Sequence, residues 1–248
     1  MTTSISNQSE KYCFDHFSLK DMTTCGTTLR RMGAGAETME EVATRIVRYF
    51  RDSFIDPDTG ESALALARCF KTESYDTLPD SAMQAIAATS DGNPDPEATF
   101  LTLLGTAGAE PHWNSRSESQ GHQAIPLSSK DVVLRLPMIC QLIKQLGLDI
   151  ETILDPELMV DQEQKTFNVF HVPKAPGSPY IPAQDKFVIP YGIRSVLGFG
   201  GILPSGSLFV FILFSSVSIP RSAGDQFKSL ALNAKFALLP FDRGSVFN

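Results

Sequence analysis

Apolar residues recur at three- and four-residue steps from Met39 through Val42, Ala43, Ile46, Val47, Phe50 and Phe54, one face of an amphipathic helix. Thr38-Met-Glu-Glu41, directly before this stripe, has the spacing of a capping box. Asp56-Pro57-Asp58-Thr59-Gly60 then reads as a turn, and Ser62–Thr72 as a strand in which Leu64, Leu66, Arg68 and Phe70 alternate with smaller residues. Pro79–Thr89 predicts a short helix rich in Ala and Met, and Thr99–Thr106 a further strand. Asp91-Gly92-Asn93-Pro94-Asp95-Pro96 between them is strong punctuation, read as a loop within one domain. Residues 107–128 are polar and read as a long loop carrying His112, Trp113 and His122. Val132, Leu136, Ile139, Ile143 and Leu146 mark another helical face, which Pro137 is expected to kink or divide in two. Thr166–Val172 reads as a short strand, followed by a proline-rich connection from Pro173 to Pro182.

From Ser195 to Ile219 the chain carries no charge, a length that raises the question of a membrane span. Such a helix would have to absorb Gly198, Gly200, Gly201, Pro204 and Gly206. Two strands, Ile193–Leu203 and Ser207–Ser216, turning at Pro204-Ser205-Gly206, account for all five residues. Their near-continuous apolar character implies cover on both faces. A final helix follows, with Ser222-Ala-Gly-Asp225 as its expected capping box and Phe227, Leu230, Ala231, Ala234, Leu238 and Phe241 as its stripe. Helices and antiparallel strands in this order predict an α+β architecture, a sheet sandwiched between helices. A doubly wound sheet is excluded, because the last two strands lack a crossover helix. Residues 1–28 show no sustained period and read as a partly disordered arm in which Phe14, Phe17 and Leu19 dock loosely.

Composition narrows the function classes. The 248 residues are 42% hydrophobic and 20% charged, enough to build a core without staples. A net charge of −7 argues against nucleic acid, whose partners gather basic excess into a patch. Cys13, Cys25, Cys69 and Cys140 form no C-x-x-C pair and read as reduced thiols of a cytoplasmic protein. The first residues lack the basic and apolar regions of a signal peptide.

The opening amphipathic helix, then IRSVLGFGGILPSGSLFVFILFSS, then IPRSAGDQFKSLALNAKFALL, resemble the end of a GAF domain. TFNVFHVPKAPGSPYIPAQ and PYGIRSVLGFGGILPSG look like a GAF-related sensor module found upstream of bacterial histidine kinases and cyclases. The resemblance covers about residues 29–241, leaving 242–248 as a tail. It implies a six-stranded antiparallel sheet (GAF/PAS-like) with a small-molecule pocket on one face and a helical layer on the other. It also implies a homodimer formed through the terminal helices and an output partner of the kinase or cyclase type. No such segment follows Phe241 in this sequence, so the expectation is a sensory, non-catalytic domain of signal transduction.

Five residues stand out as candidate ligand contacts. His171 lies on an apolar strand, where it reads either as a core histidine bonded to backbone or as a polar contact to a buried ligand, including an axial ligand to haem. Trp113 and His122, with His112, sit in the long loop and are placed to cover a pocket. Arg194 precedes the uncharged hairpin and reads as an anion anchor or an exposed strand entry. Gly200, with Gly198 and Gly201, suits close approach of a ligand or another backbone, whereas a dinucleotide fingerprint would need a following helix. Cys69 or Cys140 paired with a histidine is the enzymatic alternative, weakened because no histidine adjoins either in sequence.

Overall fold

The alternation of side chains along each strand sends one set of apolar residues to either face of a single sheet. In the computed structural model, which describes residues 10–89, 98–119, 121–155 and 167–247, six strands form that sheet. They are β1 (Leu64–Ser74), β2 (Thr99–Gly108), β3 (Ala124–Leu127), β4 (Val169–Val172), β5 (Ser195–Ile202) and β6 (Leu208–Ser215), in the order β3-β2-β1-β6-β5-β4. Every neighbouring pair is antiparallel. The α+β architecture expected from the sequence is therefore the observed one. No helix among the described residues is long and apolar enough to cross a membrane. The uncharged stretch is the β5–β6 hairpin, its turn at Pro204–Gly206 with Gly206 at φ 87°.

One face is covered by α1 (Leu19–Arg31), α2 (Met39–Ser53) and α7 (Arg221–Leu238). Their core includes Phe50, Phe54, Phe199, Phe211 and Phe227, all fully buried. Thr38 caps α2 as expected, its hydroxyl accepting the Glu41 amide at 3.2 Å, while the Glu41 carboxylate reaches back to the Glu37 amide at 2.9 Å. The opposite face carries α4 (Lys130–Leu134), α5 (Pro137–Gln145) and α6 (Ile150–Leu154), with Gln184–Val188 as a single π-helical turn. Pro137 divides the expected helix into α4 and α5, which fits its fixed φ and missing N–H at a first helical position. The remaining helix, α3 (Asp80–Thr89), follows β1, and the punctuation at 91–96 lies outside the described residues.

Several expectations are corrected. Residues 10–28 are no loose arm: Tyr12, Phe14 and Phe17 are buried, and α1 starts at a reciprocal cap between Ser18 and Asp21. Of the three residues expected to dock, Leu19, 64% exposed, is the one that stays at the surface. The loop expected over 107–128 contains β3, an edge strand in which Pro126 is tolerated because no further strand needs its amide. The Ser222–Asp225 box does not form, since α7 begins two residues earlier than that box requires, with Pro220 at its N-cap. Asp225 instead pairs with Lys228 at 2.9 Å and with Arg221. The tail also docks: the Ser245 and Val246 carbonyls accept the amides of Met39 and Glu40, satisfying orphan donors at the start of α2.

Candidate functional site

The face beneath α4 and α5 encloses a cavity of about 710 Å³. Its floor is sheet: Leu66, Arg68 and Phe70 of β1, Leu101 of β2, and Leu208, Ile212 and Phe214 of β6. Period-2 alternation puts these on one side and Ala67, Cys69 and Leu213 on the other. Leu136, Met138, Ile139 and Leu142 form the roof. Ile181, Phe187 and Tyr191, from the proline-rich connection and the π-helical turn, close one side.

Trp113 stands in this wall. Its ring meets Tyr191 at 4.5 Å and Phe187 edge-on at 5.5 Å between centroids. Phe187 in turn meets Phe214 of the floor edge-on at 5.1 Å. Two hydrogen-bonded anchors hold the Trp113 turn to β2. Thr106 Oγ1 donates to the Trp113 carbonyl at 2.7 Å, and Asn114 pairs with both backbone groups of Gly108. His112 and His122 are exposed and border the same cavity.

The other three candidates lie elsewhere. His171 faces the helical layer, where Nε2 lies 3.0 Å from the Ile219 carbonyl. Burial pushes its pKa below the usual histidine value, so the neutral ring bonded to backbone is the form present at pH 7. It is the core histidine and not a cavity contact, which removes it as an axial haem ligand in this cavity. Arg194 is exposed at the start of β5 and does not border the cavity. Gly200 admits another backbone rather than a ligand: a Cβ there would sit 2.1 Å from the Phe209 carbonyl oxygen. Neither Cys69 nor Cys140 lines the cavity, and complete burial raises the Cys69 thiol well above its ordinary value.

The residue that sequence reasoning missed is Arg68. It is 7% exposed, lies on the cavity floor between Thr106 of β2 and Ile212 of β6, and forms no ion pair among the described residues. Among the described residues its buried Nε has no hydrogen-bond partner. Desolvation pulls its pKa down to about 10, which still leaves the guanidinium charged at neutral pH. The available signal was one arginine inside an otherwise apolar alternation.

A second hollow of about 780 Å³ lies beside the β5–β6 turn; Asp80 and Arg243 on it are exposed, and its buried charged groups already have partners. Lys71 and Glu73 pair at 2.5 Å, Arg116 pairs with Glu40, and Asp242 accepts from both Ser205 groups. That contrast singles out Arg68. An unpaired buried charge is a stability cost, so Arg68→Met is expected to stabilise the ligand-free protein by about 2 kcal/mol. Denaturant titration of the apo protein checks this; a loss of stability would mean that Arg68 has a structural partner.

No family model matches the chain, and no curated protein matches it. Among solved structures it is similar to the GAF domain from a phosphoenolpyruvate-protein phosphotransferase (ptsP) from Coxiella burnetii, at 12% identity and a TM-score of 0.42. The match covers 88% of this chain and 94% of that one. At that identity and score the likeness assigns no function, and the cavity has to be read from its own geometry.

Proposed function

We propose that this chain is a GAF-like sensory domain that binds a small molecule in the cavity beneath α5 and regulates an output module, of histidine kinase or cyclase type, in bacterial signalling. The observation that carries this reading is the cavity itself. It is large enough for a drug-sized ligand, mainly apolar, and provided with a single buried polar anchor, the usual make-up of a ligand site. The sheet with a pocket on one face and a helical layer on the other is also the arrangement that the sequence resemblance implies. Free thiols at all four cysteines fit a cytoplasmic setting.

Native mass spectrometry of freshly purified protein, then of the same protein mixed with a small-molecule cell extract, tests the reading. The expected result is a discrete added mass that disappears on denaturation and is weakened in Ile139→Phe, whose larger side chain intrudes on the cavity from its roof. Bare chain mass under both conditions would contradict it.

Dimerisation through the terminal helices is part of the proposal. Leu232 and Phe236 on α7, and Leu239 just past its end, repeat at helical spacing and are 36%, 48% and 37% exposed. Arg30 of α1 lies over the Phe236 ring at 5.0 Å, joining both helices in one patch. Sedimentation velocity should give a dimer for wild type and a monomer for Phe236→Glu. A wild-type monomer at tens of micromolar would remove this part.

A further inference from the structure

We infer that the ligand is an amphipathic monocarboxylate, with its acid group on Arg68 and an apolar, ring-sized body against Trp113, Phe187 and Phe214. The inference rests on the cavity being the ligand site and adds the chemistry of what it takes. Charge is the first argument. In a chain of net charge −7, the cavity wall carries Arg68, Arg135 and Lys186 and no aspartate or glutamate. Depth is the second. Arg135 and Lys186 are exposed at the rim, whereas Arg68 is buried on the floor with an unpartnered Nε.

A buried guanidinium presents a planar fork of N–H donors that matches the two oxygens of a carboxylate. One such fork balances one negative charge. A phosphate dianion would bring a second charge to a floor that has no second buried cation. The remaining floor fits an uncharged body: Leu66, Phe70 and Ile212 beside the arginine, and Leu101 farther along, offer no polar side-chain atom. Arg68 remains protonated across the physiological range despite its desolvation, so the anchor is permanently cationic.

Calorimetric titration at pH 7 with 4-cyclohexylbutanoate, its primary amide and the corresponding amine separates the possibilities, because the three share a body and differ in charge. The acid is expected to bind at least about tenfold more tightly than the amide, with the amine weakest. Arg68→Met should abolish the acid's advantage while changing amide affinity by less than about threefold. Arg68→Lys, which keeps the charge without the fork, should retain part of it. Circular dichroism and melting of each variant confirm that it is folded. Equal binding of acid and amide to wild type would overturn the carboxylate inference and leave the cavity as a site for neutral ligands. A preference for the acid that survives Arg68→Met would overturn the assignment to Arg68. No binding of any of the three at millimolar concentration would overturn the inference and count against the cavity reading too, whereas a retained mass in the native spectrum alongside that result would confine the failure to the inference.

Discussion

Replacing Phe227 by alanine is expected to destabilise the protein by roughly 3–5 kcal/mol, the largest effect of any single substitution considered. Phe227 is completely buried where α7 meets the sheet, and its ring contacts Phe14, Phe17, Phe50, Phe54 and Phe199 with centroids 5.2 to 6.2 Å apart. These rings come from the N-terminal segment, α2 and β5, so the alanine leaves a void at the junction of four separate parts of the chain. Aromatic cores are close-packed, and neighbours anchored in different elements collapse into such a void only in part. For a domain of this size the melting temperature should fall by about 10 °C. Thermal unfolding followed at 222 nm checks the result. A fall of only one or two degrees would mean that the segment around Phe14 and Phe17 does not pack on α7 as described.

Gly200→Ala is expected to cost about 3 kcal/mol, near the upper end of what overpacking produces. Gly200 pairs with Val210, and a Cβ would lie 2.1 Å from the Phe209 carbonyl oxygen and 2.8 Å from the Val210 Cα. Those atoms belong to the backbone of β6, which is held on its other side by β1, so the strand has little room to retreat. Gly198→Ala is the control. Its Cβ would meet only side-chain atoms, Phe170 at 3.2 Å and Leu142 at 3.5 Å, and a small loss is expected. Equal stability of the two variants, measured by urea unfolding, would show that close approach of β5 and β6 is not what requires glycine at position 200.

The hairpin that positions half of the cavity floor was legible because glycine and proline have distinct backbone chemistry. The same holds for the division at Pro137 and the cap at Thr38. What escaped had weaker or conflicting signals. In α1, Thr23, Thr24, Thr27 and Thr28 spend their hydroxyls on carbonyls one turn back, and only Cys25, Gly26 and Leu29 are buried. A stripe that narrow, among threonines of modest helix propensity, does not stand out as a period. β3 was hidden by Pro126, which reads as loop until the strand is known to be an edge.

The site divides the same way. Trp113 and His122 were singled out, with His112, because a long polar connection can cover a pocket, and all three border the cavity. His171 was overrated because alternation along β4 separates two faces without saying which of them is the ligand side. Phe170 and Val172 point toward the cavity face while His171 points toward α7. Arg68 has the same ambiguity with the opposite outcome. Its meaning depends on the absence of a nearby acid among the described residues, a three-dimensional fact that strand spacing does not carry.

The central claim is that the cavity under α5 is a working ligand site, and the chain's single tryptophan reports on it directly because Trp113 lies in the wall. Tryptophan emission excited at a wavelength where 4-cyclohexylbutanoate is transparent should change saturably on titration in wild type. The same titration of folded Ile139→Phe, whose larger side chain narrows the cavity beneath its roof, should saturate only at higher concentration. An identical response from the two proteins would contradict the claim, as would no response from wild type together with a bare chain mass in the native spectrum.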